Sequence, residues 1–311
     1  MVTHHIICNS KTNRILPRHT GLKRIKATFD HVFALTFSGI TSILIVGYCG
    51  RSYMKYTKQN VKAALSALGI RSHDTVLIHT SFKSVGEFEG GPDAFIDAFC
   101  EYLSDGTFII PTHTWDNVNS ENPLYDVRKT PPCIGLVPRC AAKRKDGIRS
   151  LHPTHSVWVF GKGKEDIIRG EENAETPAPV GGAWWRLGEC GAKILLIGVG
   201  LNRNTYIHAV DEIAGLDNRL AAEPFDVTVI DWNGNSSRTK MRPHFNTGSE
   251  NFGNFERPLT ELGAISRGKL CDADIVLVDA ARCRDVLLDI YSKTDENLCL
   301  EPGDIPEKYW K

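Results

Sequence analysis

"AKILLIGVGLNRNTYIHAVDEIAGL", residues 192–216, predicts a buried strand that leads into a helix. Its first part, up to Val199, is almost continuously apolar, which is typical of a strand covered on both faces of a sheet. After Asn204 the apolar side chains repeat every three to four residues, which is the spacing of a helix. The glycines and polar residues between the two parts therefore lie at the end of a strand.

The same alternation of strand and helix patterns continues along the chain from Met54. Apolar runs that predict strands are TVLIHTS (75–81), GTFIIPTHT (106–114), HSVWVFG (155–161) and CDADIVLVD (271–279), and FDVTVIDWNG (225–234) resembles half of a hairpin. Strands separated by helices predict an α/β fold, as an α/β/α sandwich around a mixed, largely parallel central sheet. We expect one catalytic domain over residues 54–300 and a tail over 301–311.

Composition and charge exclude several classes of function. The 311 residues include 37 Lys and Arg against 37 Asp and Glu, so the chain lacks the basic excess of a nucleic-acid-binding protein. The nine cysteines include no CxxC pair, which argues against a disulfide framework or a zinc ribbon. We therefore predict a cytoplasmic protein with reduced thiols and no nucleic-acid partner.

The N-terminal residues differ in pattern from the rest. Residues 31–50 contain no Asp, Glu, Lys or Arg and follow basic residues at 18–26, which suits a single membrane anchor. His31 and several Ser and Thr residues weaken that interpretation, and Met54 offers a second start just before an amphipathic helix. We expect residues 1–53 to be an extension outside the catalytic fold, explained by a mis-assigned start or by a membrane anchor.

Polar and ionisable side chains cluster where three predicted strands end. The segments are HTSFKSVGEFEGG (79–91), PTHT (111–114) and GVGLNRNTYIH (198–208). Ligands of open α/β sheets bind beyond the carboxyl ends of the strands, so we expect these segments to form the site. SVGEFEGG could hold a phosphate with its backbone amides or could be a plain glycine turn. The GxG at 198–200 lacks the third glycine of a dinucleotide fingerprint, because Arg203 stands there.

The stretch RSLHPTHSV adds His152 and His155, for which two interpretations stay open. Together with His208 and Asp211 they supply the ligand types of a zinc or iron site, which would make the protein a metal-dependent hydrolase. No HExxH motif or cysteine ligand accompanies them. Alternatively, one imidazole is a general base with a carboxylate behind it, and Asp211 and Glu212 are the candidates.

Six stretches in order along the chain resemble a known family. They are HTSFKSVGEFEGGPDAFIDAF, GTFIIPTHTW, PLYDVRKTPPCIGLV, RSLHPTHSVWVFG, KILLIGVGLNRNTYIHAVDE and ENFGNFERPLTELGAISRGKL. From about Met54 to about residue 290 the chain is similar to the aminoglycoside 3-N-acetyltransferases. The resemblance implies an α/β/α fold and transfer of acetyl from acetyl-CoA to the 3-amino group of a deoxystreptamine antibiotic, a reaction of antibiotic resistance. It leaves open a non-antibiotic amine as acceptor, a tethered protein that binds coenzyme A without turnover, and a homodimer.

The resemblance also implies roles for individual residues. Its coenzyme A site would contain Ser81, Lys83, Ser84, Val85, Gly86 and Thr112. His152 would be the general base, with Thr205 and His208 beside the acetyl group and the base. Asp211 stands where the family usually has Glu, so Asp211 or Glu212 would orient the base. The cationic amine would be bound by Asp116, Asp126 and His155. No metal is implied.

Overall fold

The structure is a computed structural model that describes residues 25–26, 33–37, 40–42, 55–245 and 248–311. The chain divides into two compact units, Met1–Tyr53 and Met54–Lys311. The described part of the first unit is a three-stranded antiparallel sheet of β1 (Ile25–Lys26), β2 (Phe33–Phe37) and β3 (Ile40–Ser42). The anchor predicted as one explanation of residues 31–50 lies largely outside the described residues. No helix that the structure describes combines the length and apolar character needed to cross a membrane.

The second unit alternates strands and helices. Its strands are β4 (Thr75–Thr80), β5 (Thr107–Pro111), β6 (Leu124–Asp126), β7 (Ile148–Arg149), β8 (Val157–Gly161), β9 (Lys193–Ile197), β10 (Phe225–Ile230), β11 (Ser236–Met241), β12 (Ile265–Leu270) and β13 (Ala273–Asp279). Its helices are α1 (Lys58–Ala67), α2 (Gly91–Tyr102), α3 (Leu136–Ala141), α4 (Lys164–Ile168), α5 (Ala183–Glu189), α6 (Tyr206–Ile213), α7 (Glu256–Glu261) and α8 (Ala280–Tyr291).

Seven strands form one mixed sheet in the order β12–β13–β9–β4–β5–β8–β7. β4 pairs in parallel with both β5 and β9, and the strands outside these three pair antiparallel. On one side this follows from a hairpin, because only Cys271 and Asp272 separate β12 from β13 and so short a turn joins antiparallel strands. The predicted α/β fold around a mixed sheet is confirmed, with its parallel part limited to the centre.

Helices cover both faces of the sheet, as the predicted sandwich requires. One core contains Leu65 of α1 and Phe95 of α2, and the other contains Trp184 of α5 and Leu287 of α8. Four of the five residues of β9 are buried, which agrees with the continuous apolar run in the sequence. A separate sheet, β11–β10–β6, contains the predicted hairpin at β10 and β11.

The last residues of the chain belong to the core on the α5 and α8 face. Ile305, Tyr309 and Trp310 are buried there, and the indole Nε1 of Trp310 donates to the carbonyl oxygen of Ile305 at 3.0 Å. The segment predicted as a tail therefore completes one face of the sheet.

We expect Trp310→Ala to lower the free energy of unfolding by about 3–5 kcal/mol, because it leaves a cavity in a packed core. Urea unfolding followed by far-UV circular dichroism measures the change. Leu300→Ala, at a side chain that is 50% exposed, is the matched control and should change stability by less than about 0.5 kcal/mol. Equal effects of the two substitutions would contradict the assignment of Trp310 to the core.

Candidate active site

A cavity of about 710 Å³ lies beyond the carboxyl ends of the three parallel strands. His79 at the end of β4 and Ser81 after it line one wall, and His113 follows β5. Asn204 and Thr205 come from the loop between β9 and α6. The three strand ends that the sequence marked as chemically rich thus meet in one cavity, at the position where α/β sheets bind ligands.

Gly198 allows two of these strand ends to approach closely. Its φ is +64°, and a Cβ at this position would lie 2.4 Å from the Cβ of Ser84. Nearby, the amide of Ser81 donates to the carbonyl oxygen of Ile197 at 2.9 Å. Any side chain at 198 would push the loop after β4 away from β9, so the first glycine of the GxG serves packing around the cavity.

Five histidines line the cavity: His79, His113, His155, His208 and His244. Four of their rings form a chain, with centroid separations of 4.7 Å between His113 and His155, 5.0 Å between His155 and His244, and 3.9 Å between His244 and His208. Burial lowers the pKa of all five, to about 3 for His79 and His244. At neutral pH these five imidazoles are therefore uncharged and can accept protons.

His208 has a carboxylate behind its ring. Its Nδ1 lies 3.9 Å from Oδ2 of Asp211, one turn later on α6, and neither atom has a hydrogen-bond partner among the described residues. Oδ1 of Asp211 accepts a bond of 2.7 Å from the hydroxyl of Tyr291, and Arg219 Nε lies 3.9 Å from Oδ2. Burial raises the pKa of Asp211 to about 7. The family usually has Glu at the position of Asp211. The longer side chain of Glu would bring its carboxylate closer to Nδ1 of His208.

Glu212, the other candidate to orient the base, holds a loop instead. Its carboxylate accepts from the hydroxyl of Thr176 at 2.5 Å and from the amide of Ala178 at 2.8 Å. Burial raises its pKa to about 7. Of the two acidic neighbours on α6, Asp211 is the one that approaches a cavity histidine.

His152, predicted as the general base, does not line the cavity. Its Nδ1 accepts from the amides of Thr154 at 3.2 Å and His155 at 3.0 Å, and its Nε2 lies 3.0 Å from the carbonyl oxygen of Thr176. This pattern requires the proton on Nε2 and leaves neither nitrogen for a substrate. His152 and Glu212 each bind Thr176, so the loop that contains Thr176 is what connects the predicted base to this carboxylate. The neighbouring His155 lines the cavity in its place.

The residues predicted to contact coenzyme A do not all line the cavity, and some are buried in the protein core. Ser81 lines the cavity and accepts from Ser84 Oγ at 2.9 Å, Lys83 is exposed, and Val85 is buried. Gly86 has φ +90°, and a Cβ there would lie 2.4 Å from Asp272 Oδ2.

Thr112 is fully buried in a polar network around Arg149, next to Ser156. It does not line the cavity, because its side chain is used to satisfy a buried guanidinium.

The two carboxylates predicted to bind an amine lie outside the cavity wall. Asp126 makes a bidentate pair with Arg128, with Nε–Oδ1 and Nη2–Oδ2 both at 3.0 Å. The Arg128 hydrogen bonds lower the pKa of Asp126 despite opposing desolvation. Asp116 is exposed and is not among the cavity residues that the structure describes. Arg128 follows Asp126 by only two positions in the sequence. Their pairing indicates that Asp126 stabilises a turn.

Several cavity residues carried no signal that singled them out. His244 follows β11 in an irregular segment, and Phe252 lies in a 3₁₀ segment, Ser249–Phe255.

The structure does not bring together the metal ligands that the sequence suggested, His152, His155, His208 and Asp211, because His152 binds the loop at Thr176. Among the described residues, no group of three or more His, Cys, Asp or Glu side chains has the arrangement of a metal site.

This geometry is typical of an enzyme that moves protons at its substrate, since neutral imidazoles with a carboxylate behind them line a cavity at the strand ends of an α/β sheet. The model of the aminoglycoside 3-N-acetyltransferase family matches residues 77–292, more than half of the chain. The protein belongs to this family of acyltransferases, and the resemblance found in its six stretches is confirmed.

Individual relatives are distant. An aminoglycoside N(3)-acetyltransferase III of Serratia marcescens is 26% identical over 180 residues, which is 52% of this chain and 66% of the relative. An aminoglycoside N(3)-acetyltransferase VII of Streptomyces paromomycinus is 26% identical over 182 residues, 53% of this chain and 63% of the relative. The chain thus spans less than two thirds of the length of these relatives.

Solved structures support the fold. The apoenzyme of aminoglycoside acetyltransferase AAC(3)-IVa has a TM-score of 0.67 and 25% identity, covering 82% of this chain and 95% of that one. AAC-IIIb in a binary complex with CoASH has a TM-score of 0.65 and 21% identity, covering 74% and 94%.

Proposed function

We propose that the protein is an acetyl-CoA-dependent N-acetyltransferase in which His208, rather than His152, is the general base. The observation that carries this proposal is the position of His208, which lines the cavity with its Nδ1 3.9 Å from the buried carboxylate of Asp211. A neutral imidazole can take a proton from an amine, and a carboxylate behind the ring stabilises the imidazolium that results.

The proposed reaction uses these residues in one sequence of steps. The acceptor amine loses a proton to His208 while its nitrogen bonds to the carbonyl carbon of the thioester, and the carbon–sulfur bond breaks. The proton then passes to the departing sulfur, so acetyl-CoA and amine give CoASH and the N-acetyl product. We propose that Thr205, which lines the cavity just before α6, donates to the carbonyl oxygen as it gains charge.

The loop after β4 is our candidate for the coenzyme A contact. Ser81 lines the cavity, and the exposed Lys83 lies two residues further on, in the 3₁₀ segment Phe82–Val85, where an ammonium can meet a phosphate. The fold relative AAC-IIIb, solved as a binary complex with CoASH, supports coenzyme A as the acetyl carrier. We also propose a cytoplasmic location, since the seven cysteines in the described part of the chain are all free.

Two acceptor classes are compatible with this chemistry. One is the 3-amino group of a deoxystreptamine antibiotic, the group for which the family is named. The other is an amine on a different skeleton. Purified full-length protein, acetyl-CoA and a panel of both classes test the reaction itself, with mass spectrometry of the product and of released CoASH. Absence of any acetylated amine, with folded protein and after addition of fresh acetyl-CoA, would refute acetyl transfer.

We expect kcat/KM to rise with pH through about 7, the pKa to which burial raises Asp211. Below that value Asp211 is protonated and cannot stabilise the imidazolium of His208. Asp211→Asn should lower kcat/KM by about tenfold to a hundredfold and remove this step from the pH profile. Asp211→Glu, which restores the family's residue, should keep the step. A profile that is the same in the Asn variant and the parent would show that Asp211 does not set it.

A further inference from the structure

The carboxylate of Asp211 has a different neighbour at each of its two oxygens. Oδ1 accepts a hydrogen bond of 2.7 Å from the hydroxyl of Tyr291, the last residue of α8. Oδ2 lies 3.9 Å from Nδ1 of His208 and has no hydrogen-bond partner among the described residues. The bond from Tyr291 therefore engages one oxygen, and the other oxygen is the one that approaches the proposed base.

The position of the Tyr291 hydroxyl is set by the packing around its ring. Tyr291 is 9% exposed and Asp211 is 1% exposed, so water does not compete for the bond between them. The Tyr291 ring packs edge-to-face against Phe255, with the ring centroids 5.9 Å apart and an angle of 88° between the planes. Both rings belong to the core on the α5 and α8 face. The hydroxyl can leave Asp211 only if this packing changes.

Tyr291 is the donor in this bond at physiological pH. Burial, followed by the nearby carboxylate of Asp211, keeps the pKa of Tyr291 well above its usual range, so the hydroxyl retains its proton. A hydrogen bond that is donated to a carboxylate favours the ionised form of the acid over the protonated form. The bond from Tyr291 therefore favours a negative charge on Asp211.

The other groups around Asp211 act in both directions. Burial is the largest effect and raises the pKa of Asp211 to about 7, and like charge on Glu212 acts in the same sense. The guanidinium of Arg219 lowers that pKa. Burial raises the pKa of the Cys299 thiol to about 12, so it stays neutral. Because these effects leave Asp211 half ionised near neutral pH, one hydrogen bond strongly changes its ionised fraction. The titratable and charged side chains that face Asp211 in the described part of the chain are Tyr291, His208, Glu212, Arg219 and Cys299.

We propose that Tyr291 is a positioning residue of the active site, whose hydroxyl keeps the Asp211 carboxylate ionised and directed at His208 during acetyl transfer. This inference rests on the acetyl transfer proposed above, with His208 as its base. Tyr291 acts through Asp211, because it is not among the described residues of the cavity wall. When His208 takes the proton of the amine, the Asp211 anion stabilises the imidazolium, and the Tyr291 hydroxyl stabilises that anion.

Tyr291→Phe removes the hydroxyl and keeps the ring. We expect the rise of kcat/KM with pH to move upward by about one pH unit, because a hydrogen bond to a charged group favours it by at least that much. Relative to the parent, kcat/KM should be about tenfold lower at pH 6 and within about threefold at pH 9. The ratio of variant to parent at each pH cancels the ionisation of the acceptor amine, which is the same for both proteins.

Tyr102→Phe is the matched control. The Tyr102 hydroxyl donates a bond of 2.7 Å to the carbonyl oxygen of Ile70, which precedes β4 and so lies at the opposite edge of the sheet from the cavity. We expect the ratio for this variant to be the same at every pH. In the Asp211→Asn background, Tyr291→Phe should change kcat/KM by less than about threefold, since no carboxylate remains to ionise. A further tenfold loss in that background would overturn action through Asp211.

Titration of Asp211 by ¹³C NMR gives a readout that does not depend on turnover. Aspartate is labelled at its carboxyl carbon, and the signal that is missing from Asp211→Asn belongs to Asp211. A midpoint raised by about one pH unit in Tyr291→Phe, with a ratio that rises with pH, supports the proposal.

The contrary outcomes separate this inference from the proposed function. An unchanged midpoint, or a raised midpoint with a ratio that is the same at every pH, overturns the role of Tyr291 and leaves acetyl transfer standing. Absence of acetylation of any amine by the folded parent protein overturns acetyl transfer, and the catalytic role of Tyr291 with it.

Discussion

Replacing His208 by alanine is expected to lower kcat/KM for acetyl transfer by about 10²–10⁴-fold, the usual contribution of a general base. The substitution removes the imidazole that lines the cavity in front of Asp211. It leaves the loop after β4 unchanged, so the dissociation constant of CoASH, measured by isothermal titration calorimetry, should stay within about threefold of the parent value. Steady-state rates with the best acceptor of the panel measure the loss.

His152→Ala is the informative comparison. Because both ring nitrogens of His152 bind the backbone of its own loop and Thr176, we expect this change mainly to lower the free energy of unfolding, by about 2–4 kcal/mol. The folded fraction should keep kcat within about tenfold of the parent. A loss of several orders of magnitude in a well-folded His152 variant, together with an active His208 variant, would restore His152 as the base.

The protein is expected to lose most of its stability as the pH falls from about 6.5 to about 4.5. Six histidines have pKa values lowered by burial: His79, His113, His152, His155, His208 and His244. In the unfolded chain they take up protons near pH 6.5, whereas the folded chain does not, so acid favours unfolding. The stability that depends on their neutral state is complete above pH 6.5 and declines below it.

Three buried carboxyls oppose this effect. Burial raises the pKa of Asp211, Glu212 and Glu171 to about 7, so their contribution is complete below the unfolded values near pH 4 and is lost as the pH rises through 7. Between pH 4.5 and 6.5 the unfolded chain therefore binds about six histidine protons more and about three carboxyl protons fewer. The net of about three protons corresponds to on the order of 4 kcal/mol per pH unit, against a usual total stability of about 5–15 kcal/mol.

Urea unfolding at pH 7.0, 6.0 and 5.0 measures this dependence. His244→Gln should reduce the slope by about one proton, because burial lowers the pKa of His244 to about 3. A stability that stays level or rises as the pH is lowered would show that the carboxyls dominate, contrary to the sign derived for the histidines.

Periodicity predicted the sheet because buried strands and amphipathic helices impose different spacings on apolar residues. It could not predict which way β13 runs against β9, since an apolar strand has the same pattern in both directions, and the short turn at Cys271 and Asp272 fixes only the direction of β13 relative to β12. The position of the site was predictable for a similar reason. Parallel strands bring their ends to one edge, and His79 lies at the end of β4 while His113 and Thr205 follow β5 and β9.

The roles of individual histidines were not predictable from spacing. His152 and His155 lie three residues apart in an irregular loop around Pro153, where no period tells which ring faces inward. The structure resolves this through hydrogen bonds, because the loop amides capture His152 Nδ1. Likewise, the sequence shows Asp126 as an acid near strand ends, while its charge is neutralised by Arg128 two residues later.

The burial of Ile305, Tyr309 and Trp310 has a consequence for how the chain is made. During synthesis from the N-terminus these residues leave the ribosome after the other members of their core, at a general rate of about 5–20 residues per second. The core on the α1 and α2 face needs no residue beyond 277, so it can assemble first. The opposite core must wait for residues 305–310, and until they emerge it lacks part of its apolar covering. Emergence of these residues, rather than of the cavity residues, is thus the event that completes this core.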